Sequence, residues 1–367
     1  MRRTVGRPAM RVLQALVLGT STLIVPASRG EAQRPPPTLR AFLEQTIALD
    51  QGDMRAVTSG TAVVKVLQTS DEREIAVFGV VRIDVPRSFY VHSVTDFPAS
   101  LRNPSRLAFA LFSDPAAMAD VQAVSVPHDD VQDVARCRPG ACQIKLSAAD
   151  ITHLRATVDF GSPAADSVVS AYFRERMTEY VNAYRAQGDS ALIVYGDQEP
   201  TAAAGQVFQV MLSRSPYMYQ YAPSLERYLE SYPRDRPAGL FEVLFWAEDN
   251  LPGLKPTVTI THEVVYAPPE LPGSTLIASK LLYAAHYLDG ALDLTAVVDQ
   301  TGDQGADAAG IYLVLLRHWH FDELPSGGLL NVRGRVIGKL RDQTTASLRD
   351  AKASSERAYA HAPDSAR

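Results

Sequence analysis

The sequence has few of the residues that build metal clusters, basic surfaces or membrane spans. Its 367 residues include only two cysteines and eight histidines, which leaves little material for a multi-metal or cluster protein. Lysine and arginine total 36 against 41 acidic residues, a net charge of -5, so no surface for nucleic acid is expected. With 46% hydrophobic residues, the composition is that of a globular protein rather than a disordered or fibrous one.

Motifs that carry a known chemical mechanism are also absent. The sequence contains no Gly-x-Ser-x-Gly, no P-loop, no dinucleotide-binding glycine pattern and no His-Glu-x-x-His zinc pattern. We therefore predict no cofactor. These absences leave open whether the protein catalyses a reaction at all, because other sites can be built without a local motif.

Residues 1–32 have the pattern of a secretory signal peptide. Four arginines precede an apolar run at 12–19, and Gly30 and Ala32 provide small residues at a cleavage site. A cut after Ala27 is an alternative. An uncleaved anchor is a further alternative, but polar residues at 20–22 interrupt the run, which falls short of the roughly 20 apolar residues of a span. The pattern predicts export to the periplasm or beyond, with no transmembrane span in the mature chain.

The two cysteines fit an oxidising compartment. Cys137 and Cys142 flank Pro139-Gly140, a dipeptide that suits a tight turn and brings the flanking residues together. A short disulfide loop is the expected outcome for an exported protein. A redox pair or half of a metal site is the alternative, but redox pairs usually have two intervening residues and zinc needs more ligands.

The first half of the mature chain contains two predicted strands and a long helix. Strands are expected at 62–67 and 74–85, followed by a helix that begins near residue 86. Apolar and tyrosine residues recur at three- and four-residue steps from 165 to 187, which predicts a helix. Its tyrosine-rich face is typical of a core, and the alternative is that Tyr172, Tyr180 and Tyr184 line a pocket with their hydroxyls at its mouth.

The C-terminal third is predicted to be a run of strands followed by one helix. The strands are expected at 240–247, 256–266, 275–287, 292–298 and 311–321, joined by turns rich in proline and glycine. Because no helices intervene, the sheet should be antiparallel. An amphipathic helix is expected from 329 to 350, and the polar tail at 351–367 is predicted to be disordered.

The order of these elements resembles the START-like, helix-grip superfamily of the polyketide cyclase and lipid-transfer type. The resemblance rests on residues 78–86 as the opening strand, 279–284 and 311–317 as late strands, and 321–328 as the lead-in to the helix. It implies an α+β fold in which a curved antiparallel sheet packs on a long C-terminal helix and encloses an apolar cavity. Residues 33–350 would form one such domain, with a helical insertion at about 101–235.

Members of that superfamily bind lipids, sterols or other apolar molecules, and some are cyclases or hydrolases. The resemblance therefore implies an exported binding protein that holds a hydrophobic or lipid-like molecule between the sheet and the C-terminal helix. Two alternatives remain at this stage. One is an envelope module that binds another protein, and the other is a hydrolase or cyclase on the same scaffold that uses strand histidines.

Several polar and aromatic residues are candidates for ligand binding. Lys280, with Asp289 and Asp293 near the end of the same hairpin, could be a counter-charge for an acidic ligand, although such a lysine more often reaches solvent. Arg317 beside Trp319 could stack on a ligand or pair with a carboxylate head group. The predicted ligand-binding set is Tyr172, Tyr180, Tyr283, Lys280, Arg317 and Trp319.

The strand histidines are a weaker candidate for a metal or acid–base centre. Alternate residues of a strand share a face, so histidines on neighbouring strands would converge if the register aligned them. No metal is predicted, since strand register cannot be read from the sequence and each imidazole could be bonded separately. The candidates are His262, His286, His318 and His320, with Glu242 or Glu263 as an added carboxylate.

Overall fold

An eight-stranded antiparallel sheet organises the protein. The computed structural model describes residues 38–102, 105–215, 220–250, 254–300, 310–324 and 331–363, all within one compact unit that spans Pro36–Arg367. The strands are β1 (Val63–Leu67), β2 (Glu74–Ile83), β3 (Arg106–Leu111), β6 (Phe241–Asp249), β7 (Thr257–Tyr266), β8 (Ser274–Ala284), β9 (Leu288–Asp299) and β10 (Ile311–Phe321), with β4 (Val194–Tyr195) and β5 (Ala202–Ala203) in a separate pair. Their order in the sheet is β1-β2-β10-β9-β8-β7-β6-β3.

The predicted C-terminal meander is confirmed. Strands β6 to β10 follow one another in space as they do along the chain, and every pair is antiparallel. The turn-rich connections are short, so each strand returns beside the one before it. The order also brings β10 against β2, which joins the two ends of the chain in one sheet.

Helices cover both faces of this sheet. The helices are α1 (Leu39–Ala41), α2 (Gln51–Thr58), α3 (Arg87–Thr95), α4 (Phe97–Ser100), α5 (His128–Arg136), α6 (Ala148–Thr157), α7 (Ala165–Gln187), α8 (Ala204–Ser213), α9 (Pro223–Ser231) and α10 (Val332–His361). On one face lie the N-terminal helices and the central helices α5 to α9, and on the other lie α3, α4 and the C-terminal helix α10. None of the helices in these described ranges is both long enough and apolar enough to cross a bilayer.

The C-terminal helix packs directly on the second strand. Leu340, Thr344 and Leu348 are its buried residues in this region. A Cβ atom at Gly79 of β2 would lie 2.8 Å from Leu348 Cδ1, so glycine allows the helix to approach the strand closely. This arrangement, a curved antiparallel sheet with a long helix packed across it, is the α+β helix-grip fold expected from the sequence.

The central helices form the largest core. The helix predicted at 165–187 is α7, and its buried face includes Phe173, Met177 and Tyr184, so the core interpretation of that helix is confirmed for these residues. This face packs with Trp246, Ile260 and Leu292 of the sheet in one continuous cluster of buried residues. The insertion therefore forms a helical layer over the sheet.

Two boundaries differ from the sequence-based expectations. The last helix continues to His361, so residues 351–361 are helical rather than a disordered tail. Residues 106–111 form the edge strand β3, so the helical insertion begins after the sheet segment rather than at 101. The predicted signal peptide at 1–32 lies outside the described residues.

Candidate ligand-binding site

The two faces of the central strands differ in their access to solvent. In β8, Ala278 and Lys280 are fully buried beneath the central helices, whereas Ser279 and Leu281 on the other face remain partly accessible. The alternation repeats in β10, where His318 is buried and its neighbour Arg317 is partly accessible. Central strands of a large sheet are normally covered on both faces when helices flank them. One face of these strands is therefore incompletely covered.

We call this partly accessible surface the open strip. It lies on the face that carries α10 over β1 and β2 and carries α4 against β6. Its floor comprises Thr261, Glu263, Ser279, Leu281, Asp293, Thr295, Leu315 and Arg317. The strip is thus bordered by the C-terminal helix on one side and by the short helices after β2 on the other.

Asp293 lies deep within the open strip. Its side chain retains 34% of its surface, yet burial raises the pKa of its carboxyl above the usual value, against the opposing effect of Arg317. Asp293 is therefore partly accessible to solvent while much of its surroundings is protein. Asp293 accepts a hydrogen bond of 2.8 Å from Trp319 Nε1, which fixes its orientation.

The polar contacts of Arg317 with the described residues are long. Its Nε lies 3.8 Å from Asp293 Oδ2, and its Nη1 lies 3.5 Å from the hydroxyl of Thr344 on α10. These distances are near or beyond the limit for a hydrogen bond, so most of the five guanidinium donors are not engaged by these two groups. A partly accessible arginine of this kind can pair with an oxygen-bearing group of a ligand.

A second carboxylate lies farther along the open strip. Glu263 on β7 accepts a hydrogen bond of 2.7 Å from the hydroxyl of Ser279 on β8. Burial raises the pKa of Glu263, and the nearby charge of Asp293 raises it further, while Ser279 and Arg106 lower it. The strip therefore combines apolar side chains with two carboxyls that are less acidic than usual and one arginine.

The predicted ligand-binding residues do not form one site. Arg317 and Trp319 lie on the face of the open strip, whereas Tyr172, Tyr180 and Tyr283 surround a cavity of about 220 Å³ on the opposite side of the sheet. Each tyrosine hydroxyl there donates a hydrogen bond within the protein. The acceptors are Asp150 Oδ1 for Tyr172 (2.6 Å), the Leu282 carbonyl for Tyr180 (2.6 Å) and the Lys145 carbonyl for Tyr283 (3.0 Å).

Lys280 has a different environment from the one considered in the sequence. It is fully buried, forms an ion pair with Asp189 and lies over the ring of Phe208. Burial lowers the pKa of Lys280 to about 8, although Asp189 opposes this effect. The carboxylates near the end of its hairpin do not pair with it, since Asp289 pairs with Lys145 and Asp293 points to the other face.

The strand histidines each bind a separate carboxylate rather than converging on one point. His262 lies 3.0 Å from Glu242 and, through its other nitrogen, 3.0 Å from the hydroxyl of Tyr184. Burial lowers the pKa of His262, and Glu242 only partly offsets this effect. The remaining contacts are His286 with Asp130 (3.1 Å), His318 with Glu74 (3.2 Å) and His320 with Asp289 (3.3 Å).

One group with the spacing of metal ligands does exist among the described residues. Asp71, Glu74 and His320 place possible ligand atoms within 4.8 Å of one another. However, Arg73 contacts Asp71 at 3.3 Å and Arg214 contacts Glu74 at 2.5 Å. Two guanidinium groups already balance the two carboxylates, so the electrostatics favour an ion-pair network at this position over a metal centre.

A buried ionic cluster around Lys145 was not anticipated. Lys145 Nζ donates to Asp289 at 2.7 Å and lies 3.5 Å from Asp197 and 3.7 Å from Asp322. These residues come from four separate parts of the chain, and Lys145 has no periodic or motif context in the sequence. The one indication of this cluster in the sequence was that Asp289 lies near the end of a predicted hairpin, and there we considered Asp289 as a neighbour of Lys280.

The predicted disulfide is present between Cys137 and Cys142, whose Cα atoms lie 4.5 Å apart. The loop between them contacts the segment that follows β4. Gly140 N–H donates to the Gly196 carbonyl at 2.8 Å, and Cys142 N–H donates to the Asp197 carbonyl at 2.9 Å. The disulfide loop therefore helps to position Asp197 beside Lys145.

Comparison with known proteins gives only weak structural likeness. No family model and no curated protein matches the sequence. The fold is similar to a START superfamily protein from Mycobacterium smegmatis at 14% identity and a TM-score of 0.20, over 41% of this chain and 91% of that one. A likeness at this level does not place the chain in that family, so the description of the fold rests on the sheet and helix themselves.

Proposed function

We propose that this protein is an exported binding protein that holds an amphipathic, lipid-like molecule against the open strip, beside the C-terminal helix. One observation carries the proposal, namely that in the middle of β8 (278–281) and β10 (314–320) the side chains of one face are partly accessible while those of the other face are buried. Solvent-accessible side chains in the middle of a large sheet, bordered by helices, are a natural floor for a small-molecule site.

The composition of the strip supports an amphipathic ligand. Leu281 and Leu315 provide apolar floor, on which an alkyl chain or ring would lie. Arg317, with its long contacts, would pair with a carboxylate head group, which would replace the 3.8 Å contact with Asp293.

Export is part of this proposal. It is supported by the signal-peptide pattern at 1–32 and by the disulfide, since disulfides persist mainly in oxidising compartments. Fractionation of the native cells, followed by N-terminal sequencing of the protein, tests it directly. A chain that begins after Ala27 or Ala32 in the exported fraction supports the proposal, and an intact N-terminus in the cytosol contradicts it.

A hydrolase or cyclase is the second candidate, and one observation favours it. His320 lines a cavity of about 380 Å³ on the face of the sheet opposite the open strip, beside Lys145 and Asp289. Histidine, lysine and carboxylate groups in one cavity could move protons. The other histidines lie apart from it, so this candidate rests on His320 alone among the four.

The first experiment asks whether the open strip is accessible in solution. Ser279→Cys and Ala278→Cys place a thiol on opposite faces at adjacent positions of β8. Reaction with a charged methanethiosulfonate reagent should be at least tenfold faster at position 279, because only that face is accessible. Equal reaction rates at the two positions would contradict the proposal.

The second experiment tests the ligand class. A fluorescent fatty acid and the fatty alcohol of the same length are titrated into the mature protein, and fluorescence is measured. Arg317→Gln should weaken the acid at least tenfold and change the alcohol little, and the matched control is Arg341→Gln, an exposed position on α10. If neither ligand binds, or if Arg317→Gln and Arg341→Gln behave alike, the proposed site is wrong.

A further inference from the structure

Three of the tyrosines that the sequence predicted for ligand binding line one cavity. Tyr172 and Tyr180 lie on α7, Tyr283 lies on β8, and the cavity has a volume of about 220 Å³. We call it the tyrosine cavity. It lies on the side of the sheet opposite the open strip, so it is separate from the site proposed above. Its walls come from α6, α7, the segment after α7 and two strands, all within the described residues.

Hydrogen bonds of the tyrosine hydroxyls hold these rings in place. Tyr180 donates to the Leu282 carbonyl at 2.6 Å and accepts from the Ile193 N–H at 3.3 Å. The hydroxyls of Tyr172 and Tyr283 also donate within the protein, as described above. Each ring is therefore fixed at both ends, and turning into the space would break a hydrogen bond. A cavity with walls of this kind stays open without a ligand, which lowers the cost of binding one.

The buried part of the lining is apolar. Phe173, Met177 and Ile260 line the cavity and are buried. Aromatic rings and a thioether present a polarisable surface that packs well against another ring. Because the tyrosine hydroxyls already have partners, they require neither water nor an ion inside the cavity. The interior therefore favours an apolar molecule that contains a ring.

The charged groups of the lining compensate one another. Arg176 Nε lies 3.2 Å from Asp150 Oδ1, and Arg176 Nη1 lies 2.5 Å from a carboxylate oxygen of Glu179. Asp150 also accepts hydrogen bonds from the hydroxyls of Tyr172 and Ser147. An ionic ligand would meet charges that are already paired, and its transfer from water into the apolar interior would be costly. The cavity therefore favours a neutral molecule.

The rim of the tyrosine cavity is open to solvent. Val194 lines the cavity with 51% of its surface exposed, and the side chain of Arg176 is half exposed. A small molecule can thus enter without disrupting the packing of the helices. A ligand at the rim would also cover the valine, which is favourable because apolar surface is removed from water.

We propose that the tyrosine cavity binds a small neutral aromatic molecule of one or two rings. Tyr172, Tyr180 and Tyr283 would contact it through their rings, since their hydroxyls are engaged elsewhere. An apolar cavity of about 150 Å³ in another protein holds benzene, so about 220 Å³ is enough for a slightly larger compound. A charge on the ring should oppose binding, because the interior offers it no partner.

Isothermal titration calorimetry of the mature protein tests the proposal. The probes are indole, the anion indole-3-carboxylate and the cation tryptamine, each titrated alone at neutral pH. We expect saturable binding of indole and at least tenfold weaker binding of both charged probes. Absence of indole binding at millimolar concentration, or equal affinity for indole and either charged probe, would overturn the proposal.

Substitutions at the cavity locate the site. Ala191→Phe places a ring in the space that indole would occupy, so it should weaken indole binding at least tenfold. The matched control is Ala186→Phe, at an exposed position of α7, which should leave the affinity unchanged. Unchanged affinity in Ala191→Phe, or an equal loss in both variants, would contradict the assignment.

A second pair of variants keeps the test decisive if Ala191→Phe does not fold. Val194→Asp adds a charge at the exposed rim, where the ligand would cover an apolar side chain, and should weaken indole binding at least threefold. The control is Val168→Asp, at a valine of α7 with 47% of its surface exposed. Equal affinities in these two variants would place indole elsewhere and overturn the proposal.

Discussion

The two faces of the sheet use polar residues in different ways. On the face covered by α5 to α9, buried charged groups such as Lys280, His262 and Glu74 each have a partner of opposite charge or a hydrogen-bonding group. On the other face, Arg317 and Asp293 remain partly accessible and meet at a distance of 3.8 Å. A closed interior requires paired charges, whereas a partly open surface leaves charged groups free to meet a ligand.

This difference predicts where substitutions destabilise the protein and where they alter binding. Removing one partner of a pair on the covered face leaves a buried charge without compensation. The same type of change in the open strip leaves a group that water can still reach. The three predictions below test this contrast from the largest effect to the smallest.

The largest effect is expected from Asp189→Ala. The change leaves the fully buried Lys280 without its carboxylate, which should lower the free energy of unfolding by about 3–5 kcal/mol. Urea denaturation followed by circular dichroism measures it. The double variant Asp189→Ala/Lys280→Met should recover most of the loss, because the buried charge is then absent.

The control for this prediction is Asp166→Ala. Asp166 contacts His128 at 3.0 Å on the surface, where both side chains are about half exposed or more, so the loss should be below about 1 kcal/mol. If Asp189→Ala costs no more than Asp166→Ala, or if the double variant recovers nothing, the covered face does not depend on paired charges.

A smaller effect is expected in the pH dependence of stability. Because burial lowers the pKa of Lys280 to about 8, the unfolded chain binds more protons than the folded protein between that pH and about 10.5. This group alone should make stability rise with pH over that window, by at most about 1.4 kcal/mol per pH unit. Lys280→Met should remove this contribution.

Denaturation at several pH values from about 8 to about 9.5 measures this slope in the wild type and in Lys280→Met. Higher pH is avoided because the pKa of Tyr232 is raised to about 12. Above about pH 10 this tyrosine keeps its proton in the folded protein and loses it in the unfolded chain, so it makes stability fall with pH. Identical slopes in the two proteins would show that Lys280 is not titrating in this range.

The smallest effect is expected in the open strip. Asp293→Asn keeps an oxygen that accepts the Trp319 N–H, so stability at neutral pH should change by no more than about 0.5 kcal/mol. The matched variant on the covered face is Ala278→Asn, which buries an amide and should cost about 2 kcal/mol or more. Equal losses at the two positions would remove the distinction between the faces.

The elements with a strong hydrophobic pattern were predictable from the sequence. Helix α7 and strands β6 to β10 appear within a few residues of their expected positions, because alternation and helical periodicity report directly on which side of an element is buried. The end of α10 was not predictable, because residues 351–361 are small and polar and resemble a tail. Only the structure shows that residues 351–361 continue α10, which extends to His361.

The candidate site was predictable only in part. Arg317 and Trp319 share a face because they are two residues apart in a strand, and the structure places both near Asp293. The histidines also alternate in their strands, but each meets a carboxylate from another segment before it can meet a second histidine. Those partners come from loops and helices whose positions no local pattern describes.

The sequence alone determined that this is an α+β protein with a C-terminal antiparallel meander, a final amphipathic helix and a short disulfide loop. These properties follow from residue periodicity, turn chemistry and the separation of two cysteines, all of which act over a few residues. Only the tertiary structure decided which face of the sheet stays accessible and which carboxylate neutralises each buried lysine or histidine. Strand register and helix packing join distant segments, and burial then sets the energetic cost of every unpaired charge.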